Sequence, residues 1–227
     1  MAKKKLSRKE LLKNTDEFLT LSGKVVLYFN QHMHQLRLIG IGLAAIAVLY
    51  LSVWGYMKHT NKKGQAAYNV AYDTLVQSLQ SENAVEDSIK KSEGLFEEVI
   101  SDYGMSKAAD LALAQVGHAK FTNKQYAEAI DYYQEFSTKS SDNEAYETLT
   151  LLALAACHEA KGEMEKAAGI LDGIIETSDN PFKENAMLNL ERIYRFDNQP
   201  EKADKILKTF AKEYANSPFY PMVKARI

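Results

Sequence analysis

The sequence is poor in cysteine and proline, and its net charge is almost nil. One cysteine, Cys157, stands among 227 residues, so no intramolecular disulfide forms and no cysteine cluster exists to hold structural zinc or an iron–sulfur centre. Four prolines exclude a collagen-like or proline-rich chain, and a formal net charge of −2 argues against a strongly nucleic-acid-binding one. Catalytic signatures are missing too. There is no Gly-x-x-x-x-Gly-Lys phosphate loop, no Gly-x-Ser-x-Gly elbow and no His-Glu-x-x-His zinc helix. What is plentiful is apolar residue: 46% of the chain, too much for global disorder and enough for one or two cores.

The small net charge is a cancellation. Residues 1–37 carry eight basic residues (Lys3, Lys4, Lys5, Arg8, Lys9, Lys13, Lys24, Arg37) against three acids (Glu10, Asp16, Glu17), a net of +5. Residues 58–227 carry 20 basic and 27 acidic residues, a net of −7. Between them, Leu38 to Met57 (LIGIGLAAIAVLYLSVWGYM) runs for twenty residues without a charge. At ~1.5 Å rise per residue this makes a helix of roughly 30 Å, the thickness of a bilayer's hydrocarbon core. A buried core helix is the competing reading, but such a helix keeps a polar edge and this one has none. Tyr50, Trp54 and Tyr56 cluster toward its far end as an interfacial belt does, and Lys58, His59, Lys62 and Lys63 follow at once. A cleaved signal peptide fits less well, because the apolar stretch exceeds the usual ~7–15 residues and no Ala-x-Ala follows it. The expectation is an uncleaved signal anchor, with a cytoplasmic segment at 1–37, a transmembrane helix at 38–57 and a further domain at 58–227. The basic N-terminal side places residues 1–37 in the cytoplasm and exports the large domain. Three lysines close behind the span keep the opposite orientation open.

Before the span, Leu11, Leu12, Phe18, Leu19, Val25, Val26, Phe29, Met33 and Leu36 recur at mostly helical spacing among polar residues. Such a segment can lie on membrane lipid, its basic cluster held by anionic headgroups at ~1 kcal/mol per charge; a frayed tail with a short helix is the alternative.

From Gln65 onward no alternating strand pattern occurs, and the fold class expected is all-α. Periodicity and cap residues place helices near 65–80, 86–102, 106–121, 124–139, 143–161, 163–178, 182–196, 200–215 and 218–226. Three windows align without gaps: VGHAKFTNKQYAEAIDYYQEF (116–136), LAACHEAKGEMEKAAGILDGI (154–174) and LERIYRFDNQPEKADKILKTF (190–210). Each opens on an aliphatic residue (Val116, Leu154, Leu190). An alanine follows (Ala129, Ala167, Ala203), then two large side chains on the same helix face (Tyr133 and Phe136, Leu171 and Ile174, Leu207 and Phe210). The small residue admits a partner helix closely and the large ones fill the gap between pairs. The alanines lie 38 and 36 residues apart. A fourth unit over 65–102 has Leu95, Phe96 and Val99 as its packing face.

These windows resemble the tetratricopeptide repeat family, whose unit is a helix pair of ~34 residues. The nearest is 116–136, with Gly117 at the family's small position and Tyr126 to Tyr133 similar to its second helix. The other two depart, with Ala155 and Glu191 in place of that glycine and no terminal proline. The order of basic arm (with Asp16-Glu17-Phe18-Leu19), single anchor, Tyr68/Tyr72-bearing helix and degenerate repeats resembles bacterial single-span repeat proteins typified by the ancillary subunit of the Sec translocon. Glu98 to Tyr103 and Phe210 to Pro218 are also similar to periplasmic repeat proteins of envelope assembly and division. The resemblance implies a transmembrane helix followed by a helical-repeat solenoid in the bacterial inner membrane, its periplasmic domain a scaffold for other proteins. Partners implied are the Sec translocon, periplasmic chaperones or exported clients, along with membrane lipid. No nucleic acid, small-molecule substrate or cofactor is implied. A cytoplasm-facing adaptor of the same fold is the alternative.

Single residues add little chemistry. His32 and His34 lie on different helix faces; Cys157 sits in the apolar run Leu151 to Ala156 and reads as a small core residue. An enzyme would need a polar pocket joining His118 or His158 to carboxylates. Stacked helix pairs line a groove with their first helices, and the positions expected there are His118 and Phe121, Leu152, and Asn185, Leu188, Arg192 and Arg195. Two guanidiniums and an amide in that groove could hold a carboxylate or an acidic segment. Alternatively, the arginines pair on the surface with Glu184, Glu191 or Asp197. The remaining groove positions are mostly apolar, which suits hydrophobic partners.

Overall fold

The computed structural model describes residues 23–80, 85–177 and 180–227, with the backbone alone for 85–88. The basic residues before Lys24, the Asp16 to Leu19 run and the break expected at Ser81 to Asn83 lie outside the described residues. The chain divides into two units, Met1–Tyr56 and Met57–Ile227.

Helix α1 (23–31) leads into α2 (Met33–Gln80), whose residues up to Tyr56 belong to the first unit. His32 does not interrupt the hydrogen bonding, because its N–H donates to the Tyr28 carbonyl at 3.0 Å and its own carbonyl accepts from Leu36 at 2.9 Å. With every main-chain group inside the span bonded within the helix, only side chains meet the surroundings. Those side chains are apolar and uncovered, Ile41 at 67% exposure and Tyr50 at 68%. The helix is long and apolar enough to cross a membrane.

The helix expected to start at 65 instead begins at Met33 and runs through 58–64 without a break. Gly64 lies within this continuous helix and makes a close contact. A Cβ at Gly64 would fall 2.5 Å from Ser106 Oγ and 3.1 Å from Tyr103 Cβ, so the missing side chain makes room for the start of the fourth helix.

The second unit continues α2 with α3 (Val85–Asp102), α4 (Lys107–Thr122), α5 (Tyr126–Lys139), α6 (Glu144–Ala160), α7 (Met164–Glu176), α8 (Lys183–Phe196), α9 (Pro200–Glu213) and α10 (Tyr220–Lys224). The fold is all-helical, and no strand occurs among the described residues. Caps set the starts. Ser106 accepts from the Ala109 N–H at 3.1 Å, and Asn143 accepts from both Ala145 and Tyr146, satisfying donors that have no partner in the first turn. The last helix, expected over 218–226, is only five residues long, with Pro218 just before it and Pro221 in its first turn.

From α3 onward each helix packs on its successor in chain order. The turns inside the three aligned pairs are the same turn three times. Lys124, Gly162 and Asn198 each occupy the left-handed region, with φ of 62°, 78° and 53°. Each bonds back alike: Lys124 N to Phe121 O, Gly162 N to Glu159 O, Asn198 N to Arg195 O. This is the left-handed residue that commonly ends a helix, at one register position in all three repeats.

All twelve aligned packing positions are buried. Val116, Leu190, Ala129, Ala167, Ala203, Leu207 and Phe210 are 0% exposed, and the rest reach no more than 8%. Ten of them belong to four cores, from Ala71, Phe96 and Val116 at the α2 end to Met187, Leu207, Phe210 and Val223 under α10. Burying each Leu, Ile or Phe contributes ~1.5–3 kcal/mol.

Candidate functional site

The first helices of the pairs (α2 within the second unit, α4, α6 and α8) carry the site. Three positions after the buried opening residue comes the last turn of each first helix, and some side chains there remain partly uncovered. Phe121 of α4, Ala156 and Ala160 of α6, Met164 of α7 and Phe196 of α8 surround a recess of about 390 Å3. Phe196 is 67% exposed, an aromatic ring left in solvent beside an apolar hollow.

One ion pair forms part of that wall. Arg192 reaches from α8 to Glu159 of α6 in a two-pronged contact, Nη2 to Oε2 being 2.8 Å. Beneath it, Leu152, Ala155 and Ile193 enclose a small cavity of about 40 Å3. A second apolar recess, about 150 Å3, lies between α2, α3 and α4, where Leu75, Leu79 and Phe96 meet Gln115 and His118. Glu93 lines it, nearly buried, and is held by Lys120 at 2.7 Å and by Asn123 at 3.4 Å. That carboxylate, hydrogen-bonded to Lys120, keeps the ammonium protonated above the ordinary lysine range. A hollow of about 950 Å3 opens between α3 and the α4–α5 turn, and along it Lys120 is already paired with both Glu93 and Glu97.

The seven groove positions read from the sequence therefore separate. Phe121, Leu152 and Arg192 come together around the two adjoining cavities, and His118 lines the α2–α4 recess. Asn185 is exposed near the start of α8. Leu188 packs against the Met187, Leu207, Phe210 and Val223 core, away from the recesses. Arg195 is taken by Glu191 and Asp204, the latter at 3.0 Å.

Glu191 itself is no surface residue. It is 0% exposed, its carboxylate held between Arg195 and Arg226, whose Nη2 lies 2.8 Å from Oε2. Met164 and Phe196 escaped the sequence reading. Phe196 stands one position past Arg195, where Thr122 and Ala160 stand in the other repeats, so carrying the register one residue further would have found it.

His158 does meet a carboxylate, with Nδ1 2.6 Å from Glu163 Oε2. The pair sits at the α6–α7 turn, and Lys166 and Lys161 also bind Glu163 at 3.2 Å each. Hydrogen bonds from His158, Lys166 and Lys161 pull the Glu163 carboxyl down from its ordinary 4.5 to about 2. Three donors on one carboxylate tie the turn together. Among the described residues no group of three His, Cys, Asp or Glu is placed to hold a metal ion.

The tetratricopeptide repeat-like domain family matches residues 30–185 of the sequence. No curated protein sequence matches the chain. Among solved structures, the chain is similar to the nearly identical TPR-like repeats of a protein described as a Podosopora anserina kinesin light chain, and to a single-substitution variant of the same repeats. Identity is 15% and the TM-score 0.54 in both, over 74% of this chain and 84% of that one. At that identity the likeness concerns the fold alone.

Proposed function

The chain belongs to the tetratricopeptide repeat-like domain family, and on that premise we propose that it is a membrane-anchored, non-enzymatic scaffold for other proteins, its repeat domain exported to assist protein translocation or envelope assembly. One observation carries the binding reading. The twelve repeat positions are buried, yet Phe196 stays exposed beside a formed apolar recess on the first-helix face. An uncovered ring beside a hollow is what a partner's side chain fills. Anchoring is supported by the uncovered apolar stretch of α2, and export by the net +5 of residues 1–37. Lys58, Lys62 and Lys63, directly behind the span, favour a second reading, a cytoplasm-facing adaptor of the same fold.

Photo-crosslinking in living bacteria from Phe121, Leu152 and Arg192 tests the scaffold. The expected products are adducts with translocon subunits, periplasmic chaperones or exported clients; absence of any protein adduct at all three positions overturns it. Orientation is read by Gly169→Cys, an exposed site with open space around it. A membrane-impermeant maleimide should label it on intact spheroplasts, and protection there would reverse the topology. Native Cys157 adds little background, because it is 0% exposed and burial pushes its thiol up to about 11.

A further inference from the structure

We infer that the occupant of the first-helix face is a neutral, extended segment of a partner protein that carries two bulky apolar side chains; this rests on the scaffold reading above and names what the scaffold holds. Two apolar recesses flank the last turns of α4. His118 lines the recess toward α2, with Leu79 and Phe96, and Phe121 lines the recess over the end of α6, with Met164 and Phe196.

The charges decide what fits. Three ionised side chains line the two recesses: Glu93, Glu159 and Arg192. Each is neutralised from within, Glu93 by Lys120 at 2.7 Å and Arg192 by Glu159 at 2.8 Å. The Glu159 side chain is only 16% exposed. Arg192, 46% exposed, already has both terminal nitrogens on Glu159, so an acidic ligand meets a guanidinium that is solvated and largely neutralised; a basic ligand meets Glu93 already paired with Lys120. Neither charge of a ligand finds an unpaired opposite charge here, so ionic groups gain little against the loss of their own hydration. A neutral segment displaces nothing, so the face complements it. The two arginines that resemble an anion clamp in the sequence are thus already occupied.

Spacing sets the anchors. One recess lies between α2 and α4 and the other is centred over α6, about one and a half helix steps further on, so with neighbouring helices ~8–10 Å apart the two are on the order of 12–15 Å from each other. An extended main chain covers that in about four or five residues at ~3.1 Å each.

The test uses the full chain in detergent and fluorescence anisotropy with labelled ten-residue Gly/Ser/Gln peptides. One peptide carries two leucines five residues apart, one a single leucine, and two carry the leucine pair flanked by aspartates or by lysines. The neutral two-leucine peptide should bind at least tenfold tighter than each of the others. Glu159→Gln, which frees Arg192, should raise affinity for the aspartate-flanked peptide at least tenfold, with circular dichroism confirming the fold; if that variant does not fold, the peptide series on the unaltered chain decides. Charged peptides binding as tightly as the neutral one, a single leucine sufficing, or no gain in a folded Glu159→Gln variant each overturn the inference. If no peptide binds while crosslinks from Phe121 still capture a folded partner, this inference falls and the scaffold reading stands. Loss of both peptide binding and crosslinks removes both.

Discussion

The repeat that opens at Val116 and the repeat that opens at Leu190 share one backbone, down to a left-handed residue in the turn, Lys124 at φ 62° and Asn198 at φ 53°. Their side chains differ at the position after the opening residue. In the first, Gly117 lets the Tyr133 ring approach until a Cβ would stand 3.0 Å from it. In the last, Glu191 fills the position, and its buried charge is met by Arg195 and by Arg226 from beyond α10. The repeat at Val116 is constrained by the Tyr133 ring of its own second helix; the last repeat borders a short capping segment, and a carboxylate there fastens the end of the chain. Ser217, which bonds Glu184 at 2.5 Å, and the buried Val223 complete that fastening. One backbone therefore tolerates opposite chemistries as long as each local volume and charge is answered.

The strongest way to break the comparison is Gly117→Leu, which drives a branched side chain into the Tyr133 ring and should cost about 3 kcal/mol in urea unfolding of the full chain followed by circular dichroism. Gly117→Ala should be near neutral, because the ~1 kcal/mol gained in helix propensity offsets a milder contact. A well-tolerated leucine would mean that the ring is not held where Gly117 requires it. At the other end, Glu191→Ala should cost about 2 kcal/mol, the worth of hydrogen bonds to a charged group, and hydrogen exchange at residues 218–227 should quicken. Unchanged exchange there would detach Glu191 from the capping role.

The turns give smaller effects. Lys124→Gly should stabilise the protein by about 1 kcal/mol, since a side chain in the left-handed region is disfavoured by roughly that much, whereas Asn198→Gly should yield only a few tenths because Asn visits that region readily. Equal gains would show that the two turns are strained alike. The smallest effect concerns the middle repeat, where Glu163 replaces the Gln125 and Gln199 of its neighbours. Its carboxyl is lowered in the folded state, so its contribution is present above 4.5 and lost as pH falls toward 2. The melting temperature of the native chain should exceed that of Glu163→Gln at pH 5, and the two should converge by pH 2. A constant difference across that window would assign the effect to something other than this carboxyl.

Much of the architecture was legible without coordinates. Helix starts at Ser106, Asn143 and Pro200, the twelve buried repeat positions and the uncovered apolar stretch of α2 follow from spacing and composition alone. The continuity of α2 through 58–64 was not legible, and neither was the close approach of Gly64 to Ser106, which depends on how α2 and α4 pack. The groove was half legible. Phe121, Leu152 and Arg192 converge as their register suggests, while Leu188 turns into the terminal core and Arg195 into its own helix pair.

By itself the sequence determined what depends on near neighbours: helical period, capping, turn residues, and a charge-free run separating a +5 arm from a −7 domain. Tertiary structure alone decided which charges answer one another. Arg192 finds Glu159 33 residues upstream, and Arg226 finds Glu191 at a separation of 35. The physical reason is that a helix face is set by a local repeat of 3.6 residues, whereas an ion pair between helices depends on how two packed helices are turned and offset. That difference is why the two arginines that look like an anion clamp in the sequence are each already paired with a carboxylate.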